Sequence, residues 1–248
     1  MIRIDRGRGQ VPAALAHDGQ AELLRLHAKR RARTLLSADF NRTIYSSVAV
    51  RSALWEMQHR KCCFCEHRYE RKHSTVEHFR PKTRARAASG RKQWGYWWLA
   101  YSFNNLYFCC QNCNAPKSDW FPIAGGRRRY RPGEEPWSAA YQEPKLILDP
   151  GYDDPERHIT FVRGLGGSYR IAGLDARGRW TVRAAQLDRD DLAELRDAYH
   201  QEILQPVIDL FVAGQVAQAR SFATLLVRDR MEYALLARVV FRDAGILP

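Results

Sequence analysis

The sequence predicts an α+β protein with helices at the N-terminus, a small cysteine-stapled core containing a strand, and a mostly helical C-terminal region. Three observations carry this. Two Cys-x-x-Cys pairs, Cys62/Cys65 and Cys110/Cys113, bracket 44 residues. Between them, Thr75-Val76-Glu77-His78-Phe79 is a short β-branched and aromatic run stopped by Pro81. On both sides of this core, apolar residues recur at helical spacing.

With 45% hydrophobic residues and 7 Trp, 11 Tyr and 10 Phe among 248 residues, the chain can bury a real core. That excludes wholesale disorder and low-complexity architectures. No apolar run approaches the roughly 18 residues that span a bilayer, and Met1-Ile2-Arg3-Ile4-Asp5-Arg6 lacks the apolar centre of a signal peptide. The expectation is a soluble, cytoplasmic protein with no membrane partner. Six cysteines are too sparse for a disulfide scaffold, and their grouping as Cys62, Cys63, Cys65 and Cys109, Cys110, Cys113 points to metal.

The elements divide the chain into four regions. Residues 1–60 form an N-terminal basic helical region, with one helix starting near Gly19 and another over 46–59 that turns Val48, Leu54 and Trp55, together with Ala49 and Met57, inward. Residues 61–121 form the core. Its first strand leads into a basic loop over 83–92, then into an aromatic, uncharged and therefore buried stretch from Trp94 to Phe108. A short helix follows over 111–117. Residues 122–145, with Gly125-Gly126, Arg127-Arg128-Arg129, Pro132, Pro136 and Pro144, read as a linker or loop. Residues 146–248 hold a hairpin over 158–174 turning at Gly164–Gly167 and a further strand at Trp180-Thr181-Val182. A helix from Asp188 is kinked or ended by Pro206, and a last helix covers 217–242.

Four thiolates on two knuckles satisfy tetrahedral Zn²⁺ with no position left open, so Cys62, Cys65, Cys110 and Cys113 predict a structural site. Cys63-x-Cys65 is a conceivable alternative pair. Cys63 and Cys109 are assigned to packing because a two-residue spacer suits a knuckle. Between the knuckles, Glu77-His78 supplies an oxygen ligand for a hard cation and an imidazole that can deprotonate water. Alone, such a pair is weak evidence, because a single His is most often structural or solvated.

The order Cys62-x-x-Cys65, Glu77-His78, Asn105-Leu106, Cys110-x-x-Cys113-Asn114 and Lys117 resembles the zinc-containing branch of the HNH (ββα-metal) endonucleases. Val76-Glu77-His78-Phe79-Arg80-Pro81-Lys82, Leu148-Asp149-Pro150 and Asp154-Pro155 extend the resemblance to the HNH nucleases paired with an ATPase in Septu-type and some retron antiphage systems. The resemblance implies His78 as general base and Glu77 and Asn114 as ligands of a catalytic ion. It implies that Asn105 pins the loop and orients the histidine. Glu77 stands where Asp or His is commoner and Asn114 where His is commoner. Two oxygen donors there favour Mg²⁺ or Mn²⁺.

The formal charge of +13 is unevenly spread. Residues 1–92 hold 21 Lys and Arg against 8 Asp and Glu and so carry all of it, while residues 93–248 balance at 19 against 19. A polyanion is the natural partner of such a segment. Arg80, Lys82, Arg84, Arg86 and Lys117 are the expected nucleic-acid contacts, against a bland reading as a solvated basic face. The leading expectation is metal-dependent hydrolysis of DNA phosphodiester bonds by the effector nuclease of an antiphage system. The alternative is a zinc-stabilised nucleic-acid-binding module without catalysis. A redox role for the Cys-x-x-Cys pairs lacks the strand–helix context it needs. No nucleotide-binding loop is evident, so any ATP dependence would come from a partner ATPase.

Overall fold

The computed structural model describes residues 1–125, 132–134, 143–164 and 167–248. The first leucine-rich segment forms α1 (Gly19–Arg31), entered through a π-helical turn at Ala14–Asp18. A side chain in place of Gly19 would lie 2.9 Å from Tyr101 Cβ, so the helix needs glycine where it crosses the aromatic stretch. After α2 (Arg42–Tyr45), Ser47 accepts a hydrogen bond from Val50 N and caps α3 (Val48–Met57). The buried face of α3 is Val50, Leu54 and Met57, with Trp55 half-buried; Val48 and Ala49, expected inside, are exposed because they occupy the first helical positions beside the cap.

The centre of the molecule is a strand–strand–helix unit. Strand β1 (Ser74–His78) pairs antiparallel with β4 (Leu106–Cys110), placing Glu77 opposite Tyr107 and His78 opposite Leu106. Helix α4 (Gln111–Lys117) follows β4 without a break, with Cys110 at its N-cap. Between the paired strands lies a second hairpin, β2 (Arg84–Arg86) with β3 (Lys92–Trp94), where a basic loop was expected. Ala85 supplies the buried residue that anchors it, and Arg86 exchanges backbone hydrogen bonds with Asp119 and Phe121. The aromatic stretch is interior as expected, with Tyr96, Trp97, Trp98, Tyr101, Phe103, Tyr107 and Phe108 buried; Trp94 alone of its aromatics is 48% exposed.

Of the expected linker, residues 126–131 and 135–142, including the arginine run and Pro136, lie outside the described residues. Its two ends are held together by an Ile123–Lys145 bridge, and both Ile123 and Glu143 are buried. The C-terminal hairpin forms as β5 (Ile159–Arg163) and β6 (Tyr169–Gly173), with Leu165 and Gly166 of its turn outside the described residues.

The strand expected at Trp180–Val182 is instead inside a helix, α5 (Ala176–Ala184). Asp175 caps it by accepting from Gly178 N, and Gly178 passes so close to the His158 carbonyl that a Cβ would lie 1.9 Å from it. Tertiary packing on the hairpin overrides the β propensity of that tripeptide. Helix α6 (Asp190–Tyr199) continues through a π-helical turn at His200–Leu204 into α7 (Gln205–Val212), so Pro206 does not end the helical run, and the irregular turn just before it is where the α-helical ladder is interrupted. The expected last helix is two: α8 (Val216–Leu226) and α9 (Ala234–Asp243), separated where Tyr233 adopts a left-handed conformation. Among the described residues no helix is long and apolar enough to cross a membrane.

Candidate metal centre and adjoining cleft

The first knuckle, Cys62 to Cys65, folds against β4. Cys63 N donates to Phe108 O at 3.1 Å, and the buried Gln58 brackets the same residue, accepting from Phe108 N and donating to Phe108 O. Glu66 closes the knuckle at φ 65°, a conformation usually left to glycine. Its carboxylate accounts for the exception, because it pairs with Lys61 at 3.2 Å and accepts from Ala234 N at 3.0 Å, fixing the start of α9.

The second knuckle is the β4–α4 junction. Together the two place the Sγ atoms of Cys62, Cys65, Cys110 and Cys113 within 4.8 Å of one another, all buried, which fits a single tetrahedral ion such as zinc. Cys110 N donates to Cys62 Sγ at 3.5 Å, the backbone support that thiolate ligands require. Cys63 and Cys109 lie beside Cys62 as a second, three-membered group. One residue was not foreseen: Arg189 donates to Cys113 Sγ at 3.4 Å, bringing positive charge to the thiolates. It stands 76 positions from that cysteine in the chain, and nothing in its local sequence signals the contact.

The ends of β1 and α4 meet beside a cleft of about 510 Å³ lined by Glu77, His78, Lys82, Arg84, Lys92 and Asn114 among others. His78 is 6% exposed, and its Nε2 lies 2.9 Å from Ala100 O. A carbonyl only accepts, so Nε2 carries the proton and Nδ1 keeps the lone pair. Burial first, then the charges of Lys82 and Lys117, push this imidazole well below its ordinary range, against the pull of the Ala100 hydrogen bond. Tyr45 packs edge-on against the ring, with centroids 4.7 Å apart. Asn105, fully buried, accepts from Arg80 N at 2.9 Å and donates to Arg80 O at 3.0 Å and to Leu99 O at 3.3 Å. It therefore ties the loop after His78 to the segment that holds the imidazole.

Glu77 is 3% exposed. Burial raises its carboxyl above the ordinary range, and Lys117 and Lys82 oppose that shift. Lys117 Nζ forms an ion pair with Glu77 Oε1, which compensates the burial of that oxygen. Glu77 and Asn114 both line the cleft, and a carboxylate with an amide oxygen is the donor type that a hard divalent cation takes. Asn114 is held from behind, its Nδ2 donating to Thr75 Oγ1.

The five expected nucleic-acid contacts separate. Arg80 is 2% exposed and pairs with Glu143 at 3.4 Å and Asp149 at 3.5 Å, so it braces the interior and does not reach a phosphate. Asp149, from the Leu-Asp-Pro motif, also accepts from Tyr107 OH opposite Glu77. Lys117 is fully buried, donating to His78 O at 3.1 Å and Phe79 O at 2.8 Å, and is likewise removed from any surface. Lys82 is half-buried within the cleft and Arg84 exposed at its edge. Arg86 is half-buried and pairs with Asp119 at 2.8 Å. A separate cavity of about 260 Å³ brings Arg228 and Arg230 beside Arg3, Arg8 and His59, with Asp5, Glu66 and Asp229 among them.

Fold and site thus define an α+β protein whose central strand–strand–helix unit carries an acid–histidine pair and a buried four-cysteine group. Comparison with known proteins adds relatives. The chain is similar to Septu protein PtuB of Bacillus mycoides, 29% identical over 208 residues, covering 82% of this chain and 68% of the relative. A PtuB of Bacillus thuringiensis is 27% identical over 60% of this chain and 45% of its own length. Septu protein PtuA of Bacillus mycoides is 26% identical over 144 residues, which is 57% of this chain but 19% of PtuA. No family model and no solved structure matches.

Proposed function

We propose that this chain is a metal-dependent endonuclease of the HNH (ββα-metal) type, zinc-knuckle branch, hydrolysing DNA phosphodiester bonds as the effector nuclease of an antiphage defence system. The observation that carries the reading is the 2.9 Å contact of His78 Nε2 with Ala100 O: a carbonyl accepts from Nε2–H and leaves Nδ1 as the basic nitrogen, on a residue that lines the same cleft as Glu77 and Asn114. Its depressed proton affinity suits a base that must be neutral at physiological pH. The attacking water gives its proton to His78 Nδ1. Asn105 and Ala100 hold the ring in register, and Lys117 holds the end of β1 by two carbonyls. Lys82 and Arg84 contact the phosphate. Glu77 and Asn114 would hold Mg²⁺ or Mn²⁺, which would supply charge neutralisation at the phosphate and at the departing 3′ oxygen.

The defence role rests on the similarity to PtuB, and the partner proposed with it is an ATPase subunit of the same system. A module that binds nucleic acid without catalysis explains the thiolates but not a neutral histidine beside an acid in a cleft that also holds Lys82, Arg84 and Lys92. Incubating supercoiled plasmid with the purified protein and Mg²⁺ or Mn²⁺ tests the reading. Nicked or linear product that disappears with EDTA is expected; intact plasmid under all of these conditions, with or without the partner ATPase, overturns it.

A further inference from the structure

Resting on that reading, the β2–β3 hairpin specifies what kind of strand the cleft accepts. Its register pairs Arg84 with Trp94 and Arg86 with Lys92, so these four side chains share one face while Ala85 and Gln93 take the other. Ala85 is buried, which turns the Arg84/Trp94 face outward. Arg84 and Lys92 also line the cleft that holds His78. Asp119 pairs with both Arg86 and Lys92. Neither an ion pair nor a hydrogen bond engages the Arg84 guanidinium among the described residues.

Trp94 is the exception in its neighbourhood. Tyr96, Trp97, Trp98 and Tyr101 are 6% exposed or less, whereas Trp94 is 48% exposed, and the Arg30 guanidinium of α1 lies 4.6 Å from its ring centroid. An indole held in water by a cationic hairpin, with a guanidinium stacked on it, has the composition of a base-stacking platform: cations track the backbone and an aromatic takes a base face. In continuous duplex every base face is covered by its neighbours. Only an unpaired base offers one to an indole.

We propose that Trp94 and Arg84 hold an unpaired nucleotide beside the phosphate presented to His78, so that the substrate is a DNA strand that is single or locally opened at the cleavage point. Trp94 is then a specificity determinant and takes no part in the chemistry.

Binding by the His78→Ala protein tests this without cleavage. Its affinity for a fluorescent single-stranded 20-mer is compared with that for the same sequence as a blunt duplex, at one salt concentration. Trp94→Ala in that background is expected to lower single-strand affinity about tenfold, the equivalent of ~1.4 kcal/mol of stacking. Duplex affinity should not change, and Trp94→Phe should restore most of the loss. Zinc content verifies that each variant is folded. Unchanged single-strand affinity in Trp94→Ala, or an equal fall for both probes, overturns the inference and leaves the nuclease reading standing. Absence of cleavage by wild-type protein removes the nuclease reading without altering this binding result.

Discussion

Asn105 clasps the Arg80 peptide from both ends, its Oδ1 accepting from Arg80 N at 2.9 Å and its Nδ2 donating to Arg80 O at 3.0 Å. Its third bond, to Leu99 O, adjoins the Ala100 carbonyl that holds His78. Asn105→Ala leaves buried backbone groups unpaired and should cost on the order of 3 kcal/mol of stability. By loosening the imidazole it should also lower kcat roughly 10- to 100-fold with little change in KM. Denaturant melts and steady-state cleavage measure the two effects separately, and a variant that melts early but cuts normally would show that the clasp is only structural.

The metal centre predicts about one zinc per chain, measured by elemental analysis of folded protein. Cys110→Ser should lose both zinc and solubility, because a closed thiolate site contributes folding free energy directly. Cys63→Ala and Cys109→Ala should retain the metal. Loss of zinc in either of these would move the ligand set toward the second cysteine group.

Arg80 and Arg84, four residues apart, should fail in opposite ways. Arg80→Ala strands Glu143 and Asp149 in the interior and should destabilise the fold by about 3–5 kcal/mol. Arg84→Ala should leave stability within about 0.5 kcal/mol and flatten the slope of log K against log salt for DNA by about one unit. Thermal melts and salt titrations of both variants decide this; a flattened slope in a folded Arg80→Ala protein would return Arg80 to the surface.

What was legible in the sequence was what local spacing encodes. The two-residue spacers grouped Cys62, Cys65, Cys110 and Cys113, which the fold does bring within reach of one ion, and β propensity ended by Pro81 located β1 and its Glu77-His78 pair. Spacing carries no information on which way a basic side chain turns. Arg80 and Lys117 are buried because of Glu143, Asp149 and Glu77, partners supplied by other segments of the chain. The same holds for helix boundaries. The break before α9 depends on Glu66, 168 positions from the Ala234 amide it accepts from, and α5 depends on a glycine that lets it meet the His158 carbonyl.

Stability should fall on the acid side through His59. Burial, then the charges of Arg8, Lys61, Arg68 and Arg230, lower its imidazole to about 4. The unfolded chain takes up this proton near pH 6.5, whereas the native state does not until about pH 4. The native state therefore loses stability as pH falls through that window and is fully relieved of the penalty above it. His59→Asn, which tolerates the left-handed backbone at this position, should flatten the decline between urea melts at pH 7 and pH 5. An unchanged decline would assign it to other groups.

The most direct test of the central claim is the single-turnover cleavage rate of His78→Ala at saturating Mg²⁺ or Mn²⁺, with zinc content, melting temperature and DNA affinity measured on the same preparation. A general base acts on the transition state, so the rate should fall by about 10²–10⁴-fold while the other three stay near wild type. Cleavage within a few-fold of wild type would contradict the assignment of His78 as the base.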